Sequence, residues 1–353
     1  MEALGGLDRI SILPQNITEK ILSLLPIPDA LKTSILSRKW RYCWASIPVL
    51  TFNDQMFEGS SSSGIQNMSQ KLDTVYQVLL QHKSPLVGFT LSIEPEMVSK
   101  VDQIVSYVVS RCNRLEELEL ANCDFEPPPK FTGFHSLNWL SFSNVEISAK
   151  MLKRFLTHCP LLDEFYLVGK QKDTTRVENM LTFVEFFECL PSIQILAIST
   201  YYMKYFAPGR PNKLPVSLVH LKILFMGVCF MDHDEVSSAL CLIKSSPNLE
   251  KLMLKLVPQP TSMHFIDLQD HTGFKLDYLQ ELEMESLSNL SIEMEFVKLI
   301  MANSSVLKNV LIELDDSVSV DEELEMYRDL IRRPIPRASP SAEVIITRPK
   351  TSS

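Results

Sequence analysis

The sequence predicts an α/β chain. Three short helices open it, an irregular solenoid of strand-and-helix repeats around a parallel sheet follows, and residues 301–353 form a C-terminal region with a disordered tail. Three observations predict this. An apolar-x-x-apolar-x-apolar pattern recurs eight times between Leu115 and Ile312. Helical apolar stripes stand just upstream of several copies. The first 50 residues instead carry helical periodicity punctuated by proline.

Residues 1–50 make the helical unit. Pro14 suits a first helical position, where its missing N–H costs nothing. Ile17, Ile21 and Leu24 follow on one helical face, and Leu22 and Leu25 widen the stripe. Pro26 stops that helix. Pro28 opens a second, carrying Ala30, Leu31 and Ile35, and Ser37 caps a third. Trp40 and Trp44, four apart, share one face of the third helix. So small a unit buries too little surface to stand alone. Its wide apolar faces predict either a docked partner or a cap on the repeats.

Residues 51–95 are expected to hold a linker and a first irregular repeat region. Gly59 to Gly64 (GSSSSG) marks a flexible loop there. Over residues 96–300 the chain becomes periodic. The pattern falls at Leu115/Leu118/Leu120, Leu137/Leu140/Phe142, Leu162/Phe165/Leu167 and Ile193/Leu196/Ile198. It continues at Leu221/Leu224/Met226, Leu249/Leu252/Leu254, Leu279/Leu282/Met284 and, past residue 300, at Leu307/Val310/Ile312. Successive first positions are 22, 25, 31, 28, 28, 30 and 28 residues apart. That is the spacing of leucine-rich repeats. The asparagine expected after each strand survives only as Asn122 and Asn144. Upstream stripes at Val101, Ile104, Val105, Val108, at Met151, Leu152, Phe155, Leu156 and at Val236, Ala239, Leu240, Ile243 predict crossover helices.

In this pattern the three apolar positions point into the solenoid, and the residue between the last two points out. In order these are Glu119, Ser141, Tyr166, Ala197, Phe225, Met253, Glu283 and Leu311. Lys251 and Lys255 would pair across strands with Glu281 and Glu285. Tyr166, Phe225, Met253 and Glu283 are the candidate target-binding residues on the apolar strip that remains. The competing expectation is that the C-terminal region or a loop folds over the strip.

Two stretches resemble known families. The N-terminal segment resembles the F-box of the plant subfamily. It has Asp8, Ile10, Ser11, Leu13 and Pro14, then Ile21-Leu22-Ser23 with Leu25-Pro26, and finally Thr33, Ser34, Leu36, Ser37, Trp40, Arg41 and Trp44. Lys32 and Cys43 stand where arginine and leucine are common. Near the C-terminus, Ser304, Ser305, Val306, Leu307 and Lys308, with Pro336, Arg337, Ala338 and Ser339, resemble the FBD region that follows repeats in plant F-box/FBD/LRR-repeat proteins. The resemblance implies a non-catalytic subunit of an SCF-type ubiquitin ligase. Its F-box would bind a Skp-family adaptor, and through it a cullin and a RING subunit, while the repeats hold a target protein. On the F-box, Leu13, Pro14, Ile17, Ile21, Leu22 and Leu25 are the expected adaptor contacts. Trp40 is assigned to the small core, and Trp44 to either role. An F-box and repeat scaffold acting without a cullin is the alternative.

Composition supports a protein partner. The net charge of −9 is uneven: residues 1–50 carry six Lys/Arg against four Asp/Glu, and the rest carry 28 against 39. An acidic body argues against nucleic acid as the main partner. No apolar run reaches the roughly 20 residues of a membrane helix, and the N-terminus lacks a secretory apolar core. A nuclear or cytoplasmic location follows. The seven scattered cysteines, with no C-x-x-C pair, are expected reduced, and Cys112, Cys159 and Cys189 are expected to pack just before strands.

No phosphate loop, zinc-protease or nucleophile-elbow motif is present, so no catalytic residue, metal or cofactor is expected. Asp232, His233, Asp234 and Glu235 form the most metal-like cluster, but acids at a helix start serve its free N–H groups. His158–Cys159 is read as packing. Glu116, Glu117 and Glu119, like Glu281, Glu283 and Glu285, are read as solvated strand faces.

Overall fold

The structure is a computed structural model that describes residues 12–53, 65–92, 104–105, 107–108, 112, 114–125, 131, 133–169, 181–206, 211–257, 273–332 and 338–349. The Gly59–Gly64 stretch, Val101, Pro336 and Arg337 lie outside these. The chain divides into two compact units, residues 1–147 with 158–161, and residues 148–157 with 162–353. The division differs from boundaries drawn at residues 50, 95 and 300.

The first unit opens with α1 (Gln15–Ser23) and α2 (Ile27–Lys32), followed by 3-10 turns at Thr33–Ile35 and Trp40–Ser46. Pro14 is the N-cap of α1, one place earlier than expected, and Pro28 lies in the first turn of α2. The third helix is a tighter 3-10 segment. Ser37 Oγ still accepts the Trp40 N–H at 3.3 Å, as a cap would. The unit goes on to β1 (Val49–Phe52), α3 (Ile65–Gln81), β2 (Gly88–Ser92), β3 (Glu117–Ala121) and β4 (Trp139–Ser143). These four strands pair in parallel in chain order, with Leu50, Phe89, Leu118 and Leu140 in one inward row.

The helical unit is no separate bead on this ladder. The carbonyls of Ala45 and Pro48 accept N–H groups of Lys83 and Val87, and His82 Nε2 lies 2.8 Å from the Ile47 carbonyl. Those bonds tie the Trp40–Ser46 turn to the end of α3 and the entry of β2.

The second unit carries β5 (Glu164–Val168), β6 (Ile195–Ile198), β7 (Ile223–Val228), β8 (Lys251–Leu256), β9 (Glu281–Leu287), β10 (Asn309–Leu314) and β11 (Glu343–Thr347). All neighbours again pair in parallel. Crossovers include α4 (Ala149–Thr157) before β5, α5 (Phe183–Glu188) and α6 (Thr200–Phe206) on either side of β6, α7 (His233–Ser245), α8 (Ser291–Asn303) and α9 (Val320–Tyr327). The fold class is thus α/β, with eleven parallel strands in sequence order among the described residues.

All 24 apolar positions of the eight-fold pattern are buried, none above 3% exposed. Two further copies escaped the sequence reading. Ile47/Leu50/Phe52 and Leu86/Phe89/Leu91 have the same spacing, are equally buried and form β1 and β2. Asn122 and Asn144 sit in left-handed backbone (φ 55 and 54), and the Asn144 amide donates to Asn122 Oδ1 at 2.8 Å. They form the start of an asparagine ladder, and asparagine tolerates that backbone better than most residues.

The C-terminal region continues the sheet. Residues 309–314 and 343–347 are its last two paired strands, and β11 lies beside β10 instead of folding across the strip. Ser339, buried, donates to the Leu307 carbonyl at 2.7 Å, and Ala338 N–H donates to Met301. Ala338 and Ser339 therefore meet the Met301–Leu307 stretch at the approach to β10.

Candidate functional site

Two surfaces stand out, one in each unit. In the first, α1 is anchored by Thr18, whose hydroxyl donates to the Pro14 carbonyl, and by Leu22, which is 0% exposed. Trp40 and Trp44 are buried beside Ala30 and Ala45. Lys39 Nζ donates to the Leu13 carbonyl at 2.7 Å, holding the chain entering α1 against the 3-10 turn.

The core is complete on that side, and apolar side chains remain outside it. Pro14, Ile17, Ile21 and Leu25 are exposed, and Leu13 is half-buried. The stripe is broader than the sequence reading allowed. Ile12, Leu24 (85% exposed), Ile35 (87%), Leu36 and Tyr42 are also exposed. Leu22 is the correction. It shares the helical stripe in sequence, but its position turns it into the core, so it belongs with the tryptophans and not with the contact face. Both tryptophans are core residues. Burial of large apolar groups outside the core is worth roughly 1.5–3 kcal/mol each, so leaving several in water favours an occupant for this face.

In the second unit the outward residues line up by register. Tyr166 lies opposite Ala197, Ala197 opposite Phe225, Phe225 opposite Met253, Met253 opposite Glu283, Glu283 opposite Leu311, and Leu311 opposite Ile345. Tyr166, Phe225, Met253 and Glu283 are half-buried, Ala197 is buried, and Leu311 and Ile345 are exposed. Glu119 and Ser141 face each other in the first unit. Glu283 does not stand free as a contact residue. It accepts Lys251 Nζ at 2.6 Å, and Lys251 also reaches Glu281 at 3.2 Å. The expected Lys255–Glu285 pair closes at 3.6 Å.

The strip has a physical boundary at one side. A side chain on Gly227 of β7 would meet the Thr200 backbone nitrogen at 2.5 Å, so glycine is needed where the start of α6 crosses that strand.

The discounted clusters each have a packing or capping explanation. Asp232 caps α7 by accepting the N–H groups of Asp234 and Glu235. Glu235 turns inward and accepts the Cys229 N–H at 2.8 Å, and burial pushes its carboxyl up to about 7. Glu293 repeats the arrangement in α8, accepting the N–H groups of Ser288 and Leu290, and is also pushed up to about 7 by burial. Cys159 is buried, and burial pushes its thiol up to about 12, far from an activated nucleophile. Cys112 is likewise buried and held at about 11, whereas Cys189 is only half-buried. Among the described residues no group of three or more acidic, His or Cys side chains is arranged to hold a metal. Among them, too, no helix is long and apolar enough to cross a membrane.

A helical unit with an apolar outer face, joined to stacked leucine-rich repeats, defines a chain built for protein contacts. Comparison with known proteins shows what the chain is similar to. Residues 10–52 match the F-box domain, and residues 96–181 match the leucine-rich repeats of FBD-associated F-box protein At5g56370. The F-box/FBD/LRR-repeat protein At1g13570 of Arabidopsis thaliana is 29% identical over 96% of this chain and 98% of its own length. The putative FBD-associated F-box protein At5g44940 of the same plant is 22% identical over 96% and 99%. F-box/LRR-repeat protein At4g14103, also from Arabidopsis, is 40% identical, over 26% of this chain and 24% of its own. The chain thus carries matches to an F-box and to FBD-associated leucine-rich repeats, and these relatives are Arabidopsis F-box, FBD and LRR-repeat proteins. F-box domains generally bind Skp1-type adaptors, proteins of this kind are typically non-catalytic, and none of these matches is to a catalytic family.

Proposed function

We propose that this chain is the substrate-recognition subunit of an SCF-type ubiquitin ligase. A Skp-family adaptor docks on Leu13, Pro14, Ile17, Ile21 and Leu25, with Ile12, Leu24, Ile35 and Leu36 extending the contact. A cullin and a RING subunit follow through the adaptor. A target protein lies on the outward strand face at Tyr166, Phe225 and Met253. The observation that carries the reading is the apolar face of α1 with Leu24, Leu25, Ile35 and Leu36, which stays exposed although Leu22, Trp40 and Trp44 already complete the core behind it. The chain contributes proximity: it raises the target's effective concentration at a ubiquitin-conjugating enzyme that the RING subunit carries. The work is done in the nucleus or cytoplasm.

Affinity purification of the full-length chain with mass spectrometry tests this. Adaptor and cullin together are the expected result. Adaptor without cullin would make the chain a scaffold outside the ligase, and absence of both would overturn the F-box assignment.

A further inference from the structure

The outward face of the second unit is divided in two by chemistry. Over β5 to β7 its rows are mainly apolar, with Tyr166, Ile195, Ala197, Ile223 and Phe225 and with Glu164 at the margin, and Met253 continues them onto β8 between Lys251 and Lys255. The aromatic and aliphatic members are half-buried, so part of each remains in contact with water. Over β9 to β11 the same rows carry Glu281, Glu283, Glu285, Glu313 and Glu343. Against these five carboxylates the described residues of the strands offer only Lys251 and Lys255, both on β8 and both paired with β9 partners. Among the described residues Glu313 and Glu343 have no ion pair, and beside them Leu311 and Ile345 are exposed.

The Lys251 and Lys255 bridges fall at the seam between the two halves. There they neutralise β9 and leave the acidic surplus on the last two strands. An apolar surface continuous with an uncompensated negative one selects for a partner that is apolar at one end and positive at the other.

We propose that the target segment held here carries large apolar side chains at one end and lysines or arginines at the other. It lies across the strands with its apolar end over β5 to β8 and its basic end over β10 and β11. The proposal rests on the reading that this face holds the target. With about 4.8 Å between strands, the row from Tyr166 to Ile345 spans roughly 29 Å. An extended segment of about nine residues covers it.

The test uses the full-length chain and three labelled nine-residue peptides. One has Phe, Leu and Ile in its first half and Lys and Arg in its second. A second replaces the basic residues with Glu, and a third replaces the apolar ones with Ser. Fluorescence anisotropy should show the apolar-basic peptide binding at least tenfold more tightly than either control, with the advantage over the acidic peptide shrinking in 0.5 M salt. The paired substitutions Glu313→Lys, at a half-buried position, and Glu343→Lys, at an exposed one, should erase or reverse that charge preference while leaving the thermal midpoint nearly unchanged. Phe225→Glu should abolish peptide binding. Equal affinity for basic and acidic peptides, both lost in Phe225→Glu, would overturn the charge assignment and leave the face as a docking surface. No peptide binding, or binding indifferent to Phe225→Glu, would overturn both. A concentration-dependent dimer that Phe225→Glu dissolves would make a second copy the occupant, and that also overturns the proposal.

Discussion

Leu22 and its neighbour Ile21 differ by one position and have opposite roles. Ile21 faces water from α1, and Leu22 is fully enclosed behind it. Truncating each therefore has a different readout. Leu22→Ala should cost about 2–5 kcal/mol of folding stability by opening a cavity, seen as a lowered thermal midpoint. Leu13→Ala combined with Pro14→Ala should leave the midpoint nearly unchanged and weaken adaptor binding by about tenfold or more, since each lost apolar contact is worth roughly 1.5–3 kcal/mol. Calorimetry beside adaptor titration separates the two. A double mutant that binds as well as the parent would show the surface is not the contact. Ser339 makes a comparable case at the other end of the chain. Its hydroxyl is buried against the Leu307 carbonyl, and Ser339→Ala should cost about 1–3 kcal/mol through the unsatisfied acceptor. Thermal melts of the two chains would check this.

The helices α7 and α8 share a device at their first turns. A buried glutamate, Glu235 or Glu293, accepts backbone N–H groups of the strand-to-helix loop, and burial raises its carboxyl from the usual 4.5 to about 7. A group with a raised folded-state pKa favours folding most while protonated. That contribution is complete below pH 4.5, declines as pH rises, and is lost above about 7. Stability should therefore fall between pH 5 and 8 in the parent and fall less in Glu235→Gln with Glu293→Gln. His82, whose imidazole burial holds below its ordinary value, acts in the opposite sense as pH drops below 6.5. It is common to both proteins and cancels in the comparison. Parallel melting curves for parent and variant across that window would refute the account.

The proposed function divides the work of the molecule between two surfaces. Each is predicted to fail without the other failing. In cells, the Leu13→Ala, Pro14→Ala chain should still capture the target but no longer shorten its half-life, because capture without the adaptor supplies no proximity to the conjugating enzyme. Point variants are the right tool. The bonds from Lys83 and Val87 to Ala45 and Pro48 mean that removing residues 1–50 would strip β1 and unsettle β2. Cycloheximide-chase measurement of target lifetime decides the point. Unchanged turnover in the double variant would contradict assembly into a ligase.

Repetition made most of this architecture legible in one dimension. A solenoid core needs an apolar side chain at the same three places in every turn, so burial writes itself into the chain as a period. The eight copies, the capped start of α7 and the acidic α9 all follow from local pattern. The copies at Ile47 and Leu86 were present too, but 39 residues separate them and the interruption hid the period. β11 was hidden for a different reason: Ser341 stands where the first apolar residue of the pattern belongs, and Val344 and Ile346 alone do not make it. Other features exist only once the chain is packed. Helical spacing places Ile21 and Leu22 on one broad stripe, and which of them meets water depends on where Trp40 and Trp44 land. The seam at Lys251 and the acidic surplus beyond it likewise arise from register, which brings together residues about 30 positions apart whose charges carry no common signal along the sequence.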